Sequence, residues 1–179
     1  DPFYVLAPFL RRNGGSLEAG VKYLILGAPS TGFLVYGIAW IYGSTGTMNL
    51  AEIGEKINST TYPAPLLFGI ALILIALGFK IGAVPMQVWI PDVYQGAPTP
   101  TTAFLSVGSK AAGFILLMRF LDPVLQGGSA VAGHVTLMLA IMAGATLIFG
   151  NFAAIAQTNF KRLLAYSSIA HAGFLVLAL

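Results

Sequence analysis

The sequence predicts an all-α polytopic membrane protein, a bundle of about five transmembrane helices in which one helix is broken. Composition is the first observation, because 57% of the 179 residues are hydrophobic, 8% are charged and the mean hydropathy is +0.84. Soluble domains carry about 25% charged residues, so this chain cannot build a water-exposed surface. Spacing is the second observation, because apolar segments recur at about the 20 residues that cross a bilayer. Residues 1–179 are therefore predicted to form a single transmembrane domain.

The same composition excludes other classes of protein. A net charge of +3, dispersed along the chain, does not predict a nucleic-acid surface. Because the sequence contains no cysteine, disulfides, thiolate metal sites and iron–sulfur ligation are excluded within these residues.

Five apolar segments are predicted to cross the membrane, the first of them interrupted by Pro29. In chain order they run from Ser16 to about Tyr42, from Leu66 to Trp89, from Thr101 to Leu121, from about His134 to Ala156, and from near Lys161 to the end.

Turn residues define the connections between these spans. Arg11-Arg12-Asn13-Gly14-Gly15 is predicted to be a turn, followed by Ser16 as the N-cap of the first span. Residues 43–65 are predicted to be a loop outside the hydrocarbon, with room for a short amphipathic helix. Residues 91–100 contain three prolines and are predicted to be non-helical. Asp122-Pro123 and Gly127-Gly128-Ser129 are predicted to form the loop after the third span.

Cations predict the orientation. Arg11 and Arg12 precede the first span, and Lys161 and Arg162 lie between the fourth and fifth. The positive-inside rule makes this side cytoplasmic. Because the sequence begins at Asp1 and is still apolar at Leu179, it is expected to be an internal piece of a longer protein.

Lys80 is the first ionisable residue that lies where lipid is expected. It precedes Trp89 by nine residues, which places it about 13 Å from that end of the span, near the middle of a ~30 Å core. Pro85 is predicted to break the helix one turn later and to expose carbonyl groups, as in the discontinuous helices of transporters. The simpler alternative is a lysine that extends to the interface beside a packing kink.

Lys110 follows Thr101 by nine residues and is predicted to be equally deep. Its small neighbours let another helix approach closely, so that the amine faces protein rather than lipid. The alternative is a structural pair with an acidic residue. A lysine removed from water releases its proton more readily, so two such residues could exchange protons through bound water.

Three further residues carry weaker signals. His171 lies about 15 Å into the fifth span, where a histidine can relay protons or can be a hydrogen-bonded core residue. Lys22 follows Glu18 by four residues, which fits either an i,i+4 ion pair or a functional modulator. His134 lies near a span end and is given no role.

Two long motifs give the chain a family resemblance. They are WIPDVYQGAP at 89–98 and QTNFKRLLAYSSIAHAG at 157–173, accompanied by Phe79-Lys80, Val84-Pro85 and Ser109-Lys110. Together they resemble the antiporter-like membrane subunits of complex I, the proton-translocating NADH:quinone oxidoreductase. The form at 92–98 resembles subunit N, because its sister subunits L and M and the Mrp antiporters typically have Asp-Ala-His there and a histidine in place of Gln87.

The resemblance implies that the spans are roughly the sixth to tenth helices of a fourteen-helix subunit built of inverted repeats. It further implies that Lys80 is the central lysine of the broken helix, Lys110 the connecting lysine, Lys22 the modulating lysine, and His171 part of a central hydrophilic axis. The family's fifth-helix glutamate and second broken helix have no counterpart in these residues.

The resemblance also implies a non-redox role. Nicotinamide, flavin, iron–sulfur clusters and quinone are expected in other subunits, because this chain has no G-x-G-x-x-G motif and no cysteine. Other membrane-arm subunits, lipid and protons are the expected partners. The expected location is the bacterial plasma membrane rather than an organelle inner or thylakoid membrane. A Mrp-type cation/proton antiporter subunit and a structural spacer are the alternatives.

Overall fold

The computed structural model describes residues 6–8, 14–59, 63–126 and 130–179. These residues form seven main helices: α1 (Gly14–Thr45), α2 (Leu50–Ser59), α3 (Ala64–Ile81), α4 (Trp89–Gly96), α5 (Thr99–Leu125), α6 (Ala130–Ile155) and α7 (Phe160–Leu177). The predicted all-α membrane fold is confirmed, and Pro29 lies inside a continuous α1.

Four of these helices, α1, α3, α5 and α6, are long and apolar enough to cross a bilayer. The remaining predicted span corresponds to α7, whose 18 residues include Lys161, Arg162 and His171. These polar residues explain why α7 is less apolar than the other four, and its crossing stays a prediction.

Glycines let the long helices approach closely. A Cβ atom at Gly37 of α1 would lie 2.8 Å from the carbonyl oxygen of Gly69 in α3, and one at Gly69 would lie 3.0 Å from the carbonyl oxygen of Gly37. At the most extensive contact, between α6 and α7, a Cβ atom at Gly150 would lie 2.8 Å from the backbone nitrogen of Ala170. Small residues at such crossings allow van der Waals packing of helices within a membrane.

The helix break begins earlier than the sequence predicts. Helix α3 ends at Ile81, and Gly82 adopts a left-handed conformation with φ of 79°. The backbone N–H groups of Gly82 and Ala83 both donate to the carbonyl of Gly78 at 2.8 Å. This glycine cap ends the helix, so Pro85 lies within the connection between α3 and α4 instead of starting the break.

An aromatic cluster closes the break from one side. The Trp89 indole N–H donates to the Phe79 carbonyl oxygen at 3.0 Å, which satisfies an acceptor that the interrupted helix leaves without a helical donor. The ring of Trp89 also packs against the rings of Tyr23 and Phe79, with centroids 4.8 Å and 5.2 Å away. The break is therefore a packed structure in which α4 is anchored to α1 and α3.

Several local predictions of turns and caps are wrong, and one prediction of a short helix is confirmed. The segment 91–100 is largely helical, because Pro91 and Pro100 occupy the first turns of α4 and α5, where an N–H group has no intrahelical partner. Ser16 lies inside α1 rather than at its N-cap, and its hydroxyl donates to the Ala7 carbonyl at 2.9 Å. The short amphipathic helix predicted within 43–65 is α2. Asp122 and Pro123, predicted to lie in a loop, lie inside α5, which continues to Leu125. Of the predicted turn 11–15, Gly14 and Gly15 already belong to α1, whereas residues 11–13 and the loop residues 127–129 lie outside the described residues.

Candidate functional site

Lys110 is a buried cation held by a neutral residue. Its side chain is 7% exposed, and its ammonium donates to the carbonyl oxygen of Ser168 at 2.8 Å and to the Ser168 hydroxyl at 2.6 Å. A π-helical turn, Leu105–Ser109, immediately precedes Lys110 in α5. Such turns are frequent at functional sites, because they change the direction of the side chains that follow.

Two glycines leave room for Lys80 and Lys110 where α3 and α5 approach each other at the break. A Cβ atom at Gly82 would lie 3.6 Å from Cε of Lys110, and one at Gly113 would lie 3.3 Å from Cβ of Lys80. The stem of Lys110 thus passes over the end of α3, while α5 packs beside the half-buried Lys80. We call Lys80, Lys110 and Ser168 the buried amine site.

Two buried polar atoms near the break lack a hydrogen-bond partner among the described residues. They are the Tyr94 hydroxyl in α4 and the side-chain oxygen of Gln87 in the connection before it. Their residues are 3% and 5% exposed. Buried polar groups nearly always find a protein or water partner, so the region of the break has the chemistry to hold water.

A second group of charges lies where α1, α4 and α7 meet. Lys22 contacts Glu18 and Asp92, each at 2.7 Å, and Arg162 contacts the other Asp92 oxygen at 2.7 Å. We call Glu18, Lys22, Asp92 and Arg162 the charge cluster. The predicted Glu18–Lys22 pair is present. The shared contact at Asp92 brings the third turn of α1 and the first turn of α7 to the same end of the bundle.

Asp92 balances two cations at once. It lies outside the four candidate spans, and its side chain is 31% exposed. Burial would raise the pKa of this carboxyl, but hydrogen bonds from Lys22 and Arg162 outweigh burial, so its pKa lies below the ordinary value. The Arg162 guanidinium also donates to the side chains of Gln95 and Gln157. A polar cavity of about 470 Å³ opens beside the cluster.

The two histidines are exposed; only His171 was predicted for the site, and His134 was given no role. His171 projects from α7 with an exposed side chain, and His134 is exposed near the start of α6. The structure brings Lys80, Lys110 and Pro85 to the break, and it places Lys22 in the charge cluster. Within the described residues, the hydrogen bonds of Lys110 go to Ser168 and not to His171.

Asp92, Tyr94, Arg162 and Ser168 were not predicted as site residues, although Arg162 helped to predict the orientation. The first two were placed in a non-helical loop, so their helical neighbours were hidden. A signal for Asp92 was nevertheless available, since a carboxylate in so apolar a chain requires a counterion.

The chain matches a family model described as NADH:quinone oxidoreductase/Mrp antiporter, TM, over residues 2–179. It is 49% identical over 174 residues to NADH-quinone oxidoreductase subunit N 2 of Rhizobium meliloti (strain 1021), covering 97% of this chain and 35% of that protein. It is 49% identical over 177 residues to the subunit N 2 of Roseiflexus castenholzii, again covering 97% and 35%. The chain therefore spans about a third of the length of these curated relatives.

Solved structures show the same fold. Respiratory complex I from Thermus thermophilus superposes with a TM-score of 0.81 at 40% identity, over 99% of this chain and 36% of that chain. The archaeal membrane-bound sulfane sulfur reductase gives a TM-score of 0.87 at 35% identity, over 98% and 35%. The Mrp complex of Dietzia sp. gives 0.83 at 23% identity, over 98% and 32%, a likeness of fold alone. Membrane-spanning helices and bacterial relatives together place the chain in the plasma membrane as a multi-pass protein.

Proposed function

Because the chain belongs to the NADH:quinone oxidoreductase/Mrp antiporter membrane family, we propose that it translocates protons within a membrane-arm subunit of an NADH:quinone oxidoreductase. One observation carries this proposal: Lys110 is buried beside a helix break, and both of its hydrogen bonds to described residues go to the neutral Ser168. Surroundings without a counterion disfavour the charged form of an amine, so its proton can be gained or lost as nearby charges change.

Lys80 and Lys110 are the proposed proton carriers. They flank the close contact between α3 and α5, and buried polar atoms near the break provide places for water. A proton could move between two amines through such water without either side chain crossing the bilayer. Lys22 and His171 are proposed to act at the edges of this path, and Pro85 helps to keep the connection between α3 and α4 non-helical.

The proposed contribution is transport rather than redox chemistry. Nicotinamide, flavin, iron–sulfur clusters and quinone would bind to other subunits, and electron transfer there would shift charge along the membrane arm. The proposed partners are those other membrane-arm subunits. The relatives at 44–49% identity are named subunit N, whereas the Mrp likeness is one of fold, so we favour the oxidoreductase over an antiporter.

The experiment replaces Lys80 in the full-length protein within the assembled complex. We expect Lys80→Ala to lower the number of protons pumped per electron several-fold in vesicles, while electron transfer to quinone continues. Lys80→Arg should fail equally, because a guanidinium keeps the positive charge but does not release a proton. Lys161→Ala, which removes a cation outside the buried amine site, is the matched control. Normal pumping by Lys80→Arg would contradict the carrier role and leave only a structural charge.

A further inference from the structure

Ser168 occupies an unusual position between two buried groups. Its hydroxyl accepts a hydrogen bond from the Lys110 ammonium at 2.6 Å, which leaves its own O–H proton free to be donated elsewhere. The polar neighbour on the other side is Tyr94, whose hydroxyl is near enough to interact with the Ser168 side chain. Ser168 therefore lies between an amine and a phenol that come from different helices.

The Tyr94 hydroxyl is a buried polar group next to Ser168. It is buried within α4, and it makes no full hydrogen bond to the described residues. A buried hydroxyl that lacks a partner is costly, and its presence commonly reflects a water molecule or a functional demand. The ring itself packs edge-on against Trp89, with centroids 6.2 Å apart, so packing alone would be satisfied equally by phenylalanine.

The order Lys110, Ser168, Tyr94 leads from the buried amine site towards the charge cluster. Tyr94 follows Asp92 by two residues in the same short helix, and Ser168 shares α7 with Arg162. A proton that passes from Lys110 to Tyr94 thus moves from the buried amine site towards the end of the bundle that carries the charge cluster. On the orientation predicted from the cations, that end is cytoplasmic.

We propose that Ser168 and Tyr94 relay protons between Lys110 and water at the charge-cluster end of the bundle. When the amine releases its proton, an N–H bond of Lys110 breaks as an O–H bond forms at Ser168. The original Ser168 proton passes to the Tyr94 oxygen, and the original Tyr94 proton passes to a water molecule. Lys110 is left neutral, both hydroxyls are restored, and the reverse sequence reloads the amine.

This proposal rests on the proposed function and adds two residues to it. It also differs from a purely positioning role for Ser168. The backbone carbonyl of Ser168 accepts a second hydrogen bond from Lys110 at 2.8 Å, so an alanine at 168 would still hold the amine in place. Loss of the hydroxyl alone should consequently interrupt proton transfer more than it disturbs the structure.

The test uses the full-length protein in the assembled complex, reconstituted into vesicles. We expect Ser168→Ala and Tyr94→Phe each to lower the protons pumped per electron at least three-fold. Ser168→Thr, which keeps a hydroxyl, should stay within two-fold of the original chain. Tyr42→Phe is the matched control, because Tyr42 is 52% exposed on α1. The solvent isotope effect on coupled turnover, measured in heavy water, should increase in both relay variants, because a slowed proton transfer limits turnover more strongly.

The outcomes separate this relay from the function on which it depends. Normal pumping by Tyr94→Phe, together with failure of Lys110→Met, would overturn the relay and leave the lysine mechanism intact. Normal pumping by Lys110→Met would overturn the proposed function itself. If Ser168→Ala does not assemble, Tyr94→Phe still decides, since phenylalanine keeps the ring and its packing and removes only the hydroxyl.

Discussion

The lysines of the charge cluster and of the buried amine site differ in their exposure and in the groups that bind them. In the cluster, Lys22 is 41% exposed and contacts two carboxylates at 2.7 Å. In the buried amine site, Lys110 is 7% exposed and is held by a serine. The two regions share α7, which supplies Arg162 to the first and Ser168 to the second.

The comparison shows that the partly exposed lysine has carboxylate counterions, whereas the buried lysine is bound by neutral oxygen atoms. Partly exposed charges at a helix end can be balanced cheaply, and Asp92 joins α1, α4 and α7 by pairing with Lys22 and Arg162. Inside the membrane a fixed ion pair would hold both charges in place. An amine bound to neutral oxygens keeps the option of losing its proton, which is the property that transport requires. The cluster should therefore stabilise the fold, and the amine site should serve function.

The largest effect is expected at Lys110, where a substitution should impair proton pumping but not stability. We expect Lys110→Met to lower the protons pumped per electron about ten-fold, because methionine cannot carry a proton. Thermal unfolding of the purified complex in detergent should not become easier, since replacing a buried charge by an apolar side chain of similar shape is often neutral or stabilising. A clear fall in the unfolding midpoint together with normal pumping would show that Lys110 contributes to stability and not to proton transport.

A smaller effect should follow from straining the break that positions the amine. We expect Gly82→Ala to destabilise the protein by about 2–4 kcal/mol, because alanine resists a left-handed conformation and buried side chains must shift. Its Cβ atom would lie 2.1 Å from Cδ1 of the buried Ile90. Thermal unfolding measures the loss. Gly43→Ala is the control, because a Cβ atom at Gly43 meets no atom within 4 Å; equal shifts would contradict the role given to Gly82.

The smallest expected effect concerns the charge cluster. We expect Asp92→Asn to destabilise the protein by about 1–2 kcal/mol, since its contact with Arg162 is charge-assisted but partly exposed. Asp122→Asn, at an exposed aspartate of α5, should leave the unfolding midpoint unchanged.

The same substitution predicts a pH dependence. Because the folded-state pKa of Asp92 is depressed, its contribution is complete above the unfolded-state pKa of about 3.9 and is lost as the pH falls through the folded value. The difference between the original chain and Asp92→Asn should therefore shrink in acid. A constant difference from neutral to strongly acid pH would show that the carboxylate charge is not the source of stability.

Much of the fold followed from the pattern of apolar residues. The segments from Leu66 and from Thr101 correspond to α3 and α5, and the amphipathic segment after Gly43 contains α2. The proline-rich segment 91–100 was misjudged, because a proline in the first turn of a helix costs little, and sequence alone did not show where that turn begins.

The sequence by itself determined that the chain is helical, lies in a membrane and carries lysines deep within apolar segments, because burial of apolar surface and the cost of intramembrane charge act on each segment separately. Which groups those charges meet was decided by tertiary structure. Asp92 and Arg162, or Lys110 and Ser168, are about 60–70 residues apart in the chain. Such contacts depend on how helices cross, and crossing is set by glycine contacts and caps on neighbouring helices that no single segment encodes.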